Sequence, residues 1–198
     1  MTDFSIDHPL LLVRHGETDW NAEERFQGQT DIPLNDTGRD QARRNGTLIA
    51  DLVAGSAGWQ FLASPMTRTR ETMEIVRAAI GLDRSGYQLD ERLKELSFGT
   101  WERRTLAEIG RDEPEAIAAR ALDKWNYVPP NGESYALLGR RVAPVFQALT
   151  MPTVMVAHGG TVRVVLHCVY GVAADEVASL RIPQDRVLAC DRDGWRWV

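Results

Sequence analysis

Apolar and polar residues alternate in blocks along the chain, and the blocks have two lengths. Short, mainly apolar runs stand at Leu10–Val13, Trp59–Ala63 and Thr153–Ala157. Runs of this length, rich in Leu and Val, read as strands buried on both faces of a sheet. Longer stretches with helical spacing lie between them. One helix is predicted from Asn35 or Asp36, either of which can cap it, to Val53, with Gly55 as its stop. Another runs from Thr67 to Ala79 and ends at Gly81. A third begins at Ser134, Leu137 and Leu138, and Pro144 should kink or break it. A fourth runs from about Thr161 to Val169. Strands alternating with helices predict an α/β fold: a three-layer α/β/α sandwich around a mostly parallel central sheet.

The remaining segments are less regular. Arg14 to Leu34 reads as a long polar loop, and loops of that length in compact domains are usually functional. Tyr87–Leu93 alternates and predicts a strand near a sheet edge. Leu106–Ile109 and Glu115–Trp125 predict helices, assigned to an insertion at about residues 104–127 over one end of the sheet. The whole is expected to be a single domain, 1–198. Val187–Cys190 and Trp195–Val198 flank Asp193-Gly194, a hairpin signal. Trp195–Val198 reads as the last core strand, or as an exposed edge open to a second copy. Monomer and homodimer both stay open.

Composition narrows the function classes. The 198 residues suit one domain with a sizeable core, and 43% hydrophobic with 26% charged residues is ordinary for a globular protein. A formal charge of −5, with no basic run interleaved by aromatics, argues against a nucleic-acid binder. Cys168 and Cys190 give neither a disulfide framework nor a zinc pattern, and read as reduced core residues. Met1–Asp7 lacks a basic leader region, and Pro9–Val13 is too short to span a membrane. A cytoplasmic protein without a membrane partner is expected.

Candidate chemistry lies where two of the apolar runs stop. Val13-Arg14-His15-Gly16 and Val156-Ala157-His158-Gly159 each end a strand in His-Gly. Adjacent parallel strands would bring His15 and His158 side by side at the ligand edge of the sheet. Arg offers a planar, permanently charged fork for phosphoryl oxygens. Neutral His, with an ordinary pKa near ~6.5, keeps a free ring nitrogen that can attack phosphorus. His8, near the terminus, and His167, mid-helix in an apolar segment, read as structural. So would either strand-end histidine taken alone.

The motifs carry a resemblance. Leu12-Val13-Arg14-His15-Gly16-Glu17-Thr18, Trp20-Asn21, Phe26-Gln27-Gly28 and Asp31-Ile32-Pro33-Leu34 resemble the histidine phosphatase superfamily, in its phosphoglycerate mutase-like branch. Ser64-Pro65-Met66-Thr67-Arg68 with Thr72, Leu93-Lys94-Glu95 with Phe98-Gly99-Thr100-Trp101-Glu102, Asn131-Gly132-Glu133-Ser134 and Ala157-His158-Gly159-Gly160 continue it. The matches follow the family's order over nearly the whole chain.

The resemblance implies roles. His15 would be the nucleophile, forming a phosphohistidine, its other ring nitrogen held by a backbone acceptor. Arg14, Arg68 and His158 would bind the phosphoryl oxygens and stabilise the charge spread over them. Asn21, Gln27 and the backbone N–H of Gly159 would add neutral donors. Glu95 would protonate the leaving oxygen, then activate water. Read without the resemblance, Glu95 is a solvated carboxylate in a charged run, and Asn21 and Gln27 are loop amides. No Asp/His spacing suggests a metal cage, so metal-independent chemistry without a cofactor is expected.

The chain departs from the family where the common Trp-Glu-Gly reads Trp101-Glu102-Arg103. Arg103 could alter the backbone there or reach the substrate. Arg70 and Arg104 read as solvated or as substrate contacts. Glu133 could merely orient the Asn131-Gly132 loop. Glu102, Arg103, Trp125 and Tyr127 are expected to shape a leaving-group pocket.

Three functions are consistent with these residues. The favoured one is a phosphatase acting on a small-molecule phosphomonoester. The second is a cofactor-dependent phosphoglycerate mutase. The third is a non-catalytic phospho-ligand-binding module, since fold does not fix function. The family's mutases carry Arg-His-Tyr-Gly after the acid and a Lys further on. Here Leu96-Ser97-Phe98-Gly99 and Leu106 stand instead.

Overall fold

Leucines 10 and 12 face one way along the first strand, and Leu11 and Val13 face the other. Each set enters its own hydrophobic core, so the sheet must be covered on both faces. A computed structural model describing residues 4–54 and 58–198 shows this arrangement. The elements in chain order are β1 (Leu10–Arg14), α1 (Asp19–Ala22), α2 (Asp36–Val53), β2 (Gln60–Ala63), α3 (Thr67–Ala79), β3 (Gln88–Leu89), α4 (Leu106–Asp112) and α5 (Pro114–Leu122). There follow α6 (Tyr135–Gln147), β4 (Thr153–Ala157), α7 (Gly159–Cys168), α8 (Ala174–Ser179), β5 (Val187–Asp191) and β6 (Gly194–Trp197).

The six strands form one sheet in the order β3-β2-β4-β1-β5-β6. The pairs from β3 to β1 are parallel; β5 is antiparallel to β1 and to β6. The sheet is therefore mostly parallel, inside three α/β/α layers. On one face Leu11, Val13, Phe61, Val154 and Val156 pack with Ile49 of α2 and with Met73 and Val76 of α3. On the other, Leu10, Leu12 and Met155 pack with Leu138, Val142 and Phe146 of α6 and with Val162, Val165 and Leu166 of α7.

Most predicted elements form within a residue or two. Asn35 caps α2, its side chain accepting from the Gly38 N–H at 2.8 Å. Gly55, the predicted stop, lies outside the described residues. The edge strand is shorter than predicted: β3 has two residues. There the Asp90 side chain accepts from the Arg92 N–H at 2.9 Å and turns the chain into a 3-10 turn over Glu91–Leu93. Pro144 does not break α6, which runs on to Gln147. It sits near the helix end, where the one backbone bond it forfeits is offset by the buried side chains around it. The fourth helix starts earlier, at Gly159, directly after His158. The long loop contains α1, built on a reciprocal Thr18–Asn21 capping box. β6 forms the sheet edge, and Trp195 is partly exposed on it. Cys190 is a buried free thiol. Among the described residues, no helix is long and apolar enough to cross a membrane.

Candidate active site

Parallel pairing sets the two histidines together. Val13 lies opposite Val156 and Arg14 opposite Ala157. The His15 N–H continues the ladder to the Ala157 carbonyl at 3.0 Å. The rings of His15 and His158 then stand edge to face, 5.2 Å apart. Both are buried. His15 Nδ1 is 2.7 Å from the Gly16 carbonyl, which can only accept, so Nδ1 carries the proton and Nε2 is left basic. His158 Nε2 lies 2.8 Å from Ser64 Oγ at the end of β2.

Two arginines join them from different elements. Arg14, the last residue of β1, donates through Nη1 to the Ile182 carbonyl at 2.7 Å. Arg68, in the first turn of α3, is fully buried and donates to the Gly28 and Thr30 carbonyls at 2.8 and 3.0 Å. The long loop thus holds the guanidinium in place. Burial and neighbouring cations pull Arg14 down to about 10. Burial, followed by Arg68 and Arg14, pushes His15 well below the ordinary histidine value. Burial also lowers His158, with Arg68 the largest charged contributor. Both imidazoles are consequently neutral at neutral pH.

The donors of this group are only partly used. Arg14 Nε, Arg68 Nε and His158 Nδ1 are buried without a hydrogen-bond partner. An unpaired buried donor costs about 1–3 kcal/mol. Two of the three unpartnered nitrogens are on guanidinium cations and can donate to an anion.

Glu95 reaches the group from the loop after the 3-10 turn. Its carboxylate accepts from the N–H groups of Leu96 at 2.8 Å and Gly160 at 3.2 Å. Its charge acts on both Arg14 and Arg68, raising each pKa against the effect of burial. A Cβ on Gly160 would collide with the Glu95 carboxylate and with Leu138, so glycine is required for the approach of that carboxylate to α7.

Other predicted residues take varied places. Asn21 Oδ1 accepts from Gln184 Nε2 at 3.0 Å, and Gln184 Nε2 also lies 3.1 Å from the His15 carbonyl. Gln27 is buried, with Oε1 unpartnered. Gly159 opens α7, directly after His158. Glu133 does not act on its own loop alone. It makes a bidentate pair with Arg141 at 2.9 and 2.7 Å, accepts from the Ser97 N–H, and Arg141 holds the carbonyls of Arg92, Lys94 and Glu95. The pair therefore positions the Glu95 loop.

Glu102 accepts from the N–H groups of Gln29, Thr30 and Phe98, tying the long loop to the segment after Glu95. Arg103 has φ 73° and an exposed side chain; its N–H donates to the Phe26 carbonyl at 2.8 Å. The missing glycine thus leaves its left-handed conformation behind, at a cost of about 1–2 kcal/mol. Arg104 is spent on Asp112 and Glu113, and Arg70 bonds Tyr87. Tyr127 stacks on Trp101 at 5.4 Å. Trp125 lines a cavity with Ala136, Arg140 and His167. It is buried in the core against Tyr135 and His167, because its large apolar ring gains more there than beside a charged site. His167 has the structural role expected, donating to the Val172 carbonyl at 2.7 Å.

Sequence reasoning missed the contributions of Ser64, Arg141 and Gln184. Ser64 carried a usable signal, since it ends a strand next to the helix bearing Arg68. The other two act across long sequence separations and carried none.

Comparisons with known proteins converge. The sequence profile of the histidine phosphatase superfamily (branch 1) matches residues 10–198. The chain is 33% identical over 194 residues to a probable phosphoglycerate mutase GpmB of Erwinia tasmaniensis, covering 96% of this chain and 87% of that relative. Its structure is similar to a mycobacterial glucosyl-3-phosphoglycerate phosphatase solved with VO3, with TM-score 0.79, 26% identity and 96% of both chains covered. It is also similar to YhfR of Bacillus stearothermophilus, with TM-score 0.77, 28% identity, and 96% and 95% covered.

Proposed function

Because the chain belongs to the histidine phosphatase superfamily, we propose that it is a phosphatase that hydrolyses a small phosphomonoester through a phosphohistidine on His15. The observation that carries this reading is the set of buried, unpartnered donors on Arg14, Arg68 and His158 around a neutral histidine. Such donors suit a phosphoryl group whose charge spreads over three oxygens.

The reading implies the following steps. His15 Nε2 attacks phosphorus, and the ester oxygen departs with a proton from the Glu95 carboxyl. A water then attacks phosphorus, Glu95 takes its proton, the N–P bond breaks and inorganic phosphate leaves. Arg14 and Arg68 hold the oxygens as cations. If Ser64 Oγ–H donates to His158 Nε2, the His158 proton sits on Nδ1, the unpartnered nitrogen, and can point at the phosphoryl group. Asn21, Gln27 and the Gly159 N–H complete the donor set. No metal is assigned a step, since two guanidiniums supply the positive charge.

The Erwinia relative's name favours a second reading, phosphoglycerate mutase. Against it, the residues directly after Glu95 offer no cation. Leu96 is buried, Ser97 Oγ accepts from the Gly99 N–H, and Phe98 packs on Phe26. One assay separates the readings. With 3-phosphoglycerate and catalytic bisphosphoglycerate, inorganic phosphate should appear faster than 2-phosphoglycerate. Isomer exchange outrunning phosphate release would assign the mutase. Turnover of no phosphomonoester would leave a binding module.

A further inference from the structure

The chain between α8 and β5 meets the reaction centre at two places. The Ile182 carbonyl accepts from Arg14 Nη1 at 2.7 Å. Two residues on, Gln184 Nε2 lies 3.1 Å from the His15 carbonyl and 3.0 Å from Asn21 Oδ1. Ile182 is buried in the core and anchors the segment. Gln184 is anchored separately: its carbonyl accepts from Asn45 Nδ2 of α2 at 2.9 Å. Asn45 is fully buried in the interior of that helix, and its Oδ1 has no partner. An asparagine there serves the helix less well than alanine or leucine, and the orphan oxygen adds to the penalty. What Asn45 supplies in return is the bond to Gln184. Neither Gln184 nor Asn45 has a place in the steps above.

A side-chain amide has a donating end and an accepting end, and backbone groups with fixed roles settle both amides here. The His15 carbonyl can only accept, so the Gln184 atom that faces it is the NH2. The Thr18 N–H can only donate, so the Asn21 atom that faces it, at 3.3 Å, is the oxygen. Gln184 Nε2 donates to that same oxygen over a shorter distance. Thr18 Oγ1 stands at 3.3 Å from it as well. Asn21 Oδ1 is thus fully engaged by the protein, and among the described residues nothing bonds Asn21 Nδ2. The donor end of Asn21 is the end left for a ligand. A rotated amide would set NH2 against NH2 at Gln184 and offer the ligand an oxygen instead.

We infer that Gln184 is a positioning residue for phosphoryl transfer: its NH2 fixes the Asn21 amide with the donor end free for the phosphoryl group, and holds the carbonyl of the nucleophile. The inference rests on the phosphatase reading, which counts Asn21 among the phosphoryl donors, and adds to it a residue that acts through another. A donor set in advance needs no reorganisation as charge builds on the oxygens, and that is the source of its effect. The His15 N–H is already held by the Ala157 carbonyl at 3.0 Å. With Gln184 on its carbonyl, both backbone groups of the nucleophile are fixed.

The test is a double-variant cycle on kcat/KM with p-nitrophenyl phosphate. Gln184→Met keeps the length of the side chain and loses both donated bonds, so kcat/KM should fall about tenfold. Gln184→Glu sets a carboxylate against two acceptors, draws the Asn21 NH2 to itself and turns the Asn21 oxygen to the ligand. The fall should then be about 10²-fold, the scale of a lost oxyanion donor. In an Asn21→Ala background the Gln184→Glu penalty should shrink by about fivefold or more, since no amide is left to invert. If Gln184→Glu does not fold, the same cycle is read with Gln184→Met. Near-normal kcat/KM in the folded Gln184 variants would overturn the inference. So would a penalty that is equal with and without Asn21, because a side chain that only supports the fold loses the same in both backgrounds. If wild type hydrolyses no ester, the phosphatase reading fails. The cycle is then read from the Kd of inorganic phosphate, where equal penalties, or no binding by wild type, would overturn the positioning role as well.

Discussion

Helix α7 borders the phosphate site, α5 reaches Phe26 of the long loop through Arg120, and the two helices are built in opposite ways. Seven residues of α7 are buried, from Gly159 to Leu166, and its first turn touches Glu95. α5 buries none, and the α4–α5 segment is held by one buried residue, Ile109 of α4, and by polar contacts. Arg104 pairs with Asp112 and Glu113, Trp101 Nε1 donates to Glu113, and Arg25 pairs with Glu108. The groups that would handle phosphorus are therefore fixed by the same packing that holds the sheet together. Helix α5, which buries no residue, can change without disturbing that packing. The contrast gives one fold a fixed reaction and an adjustable specificity.

The sharpest way to break the contrast is to strike the core side. His15→Ala should leave the fold intact and lower turnover by about 10⁴-fold or more, because the covalent route is lost. Arg68→Ala and His158→Ala should each cost about 10²–10³-fold in kcat, on the scale of a lost oxyanion donor. Near-normal kcat for any of the three in a folded protein would show that the buried group is not the reaction centre.

Glu95→Gln should act selectively. It should slow alkyl phosphates, whose leaving oxygen needs a proton, more than p-nitrophenyl phosphate. Equal slowing of both would remove Glu95 from the acid role.

The buried histidines make the core side sensitive to acid. Their folded pKa values lie below the unfolded value, so the unfolded chain takes up protons first as pH falls through 6.5. The stability they contribute is present above 6.5 and declines below it, by at most about 1.4 kcal/mol per pH unit for each histidine. Denaturant unfolding between pH 7 and 5.5 should show a shallower decline in His15→Gln/His158→Gln than in wild type. Parallel declines would place the two rings in solvent-like surroundings.

The smallest effect belongs to the α4–α5 side. Arg104→Ala removes two partly exposed ion pairs, each worth about 0–1 kcal/mol. Melting should fall by only a few degrees. KM should move more than kcat. A collapse of kcat would mean that this segment belongs to the reaction centre after all.

The same contrast governs how much of the molecule could be read from its residues. β1 and β4 were legible because leucine and valine runs stop abruptly at His15 and His158. α3 was legible to the residue, since Thr67 and Gly81 bound a clear helical run. The short elements were not. α1 and α8 have four and six residues, below the length at which periodicity speaks, and a side-chain cap at Asp90 cut β3 to two. Within the candidate site, residues at strand ends were visible, whereas positioning groups such as Arg141 and Gln184 come from distant segments. The packing of Trp125 against Tyr135 and His167 was not legible, because those partners come from distant segments.

The most direct test of the central claim is to trap the intermediate. Wild-type protein mixed with ³²P-labelled phosphomonoester and quenched in base should carry label that is acid-labile, base-stable and located on His15 by peptide mapping, and His15→Ala should carry none. Turnover without such label in wild type, or label on another residue that persists in His15→Ala, would contradict a phosphohistidine at the end of β1.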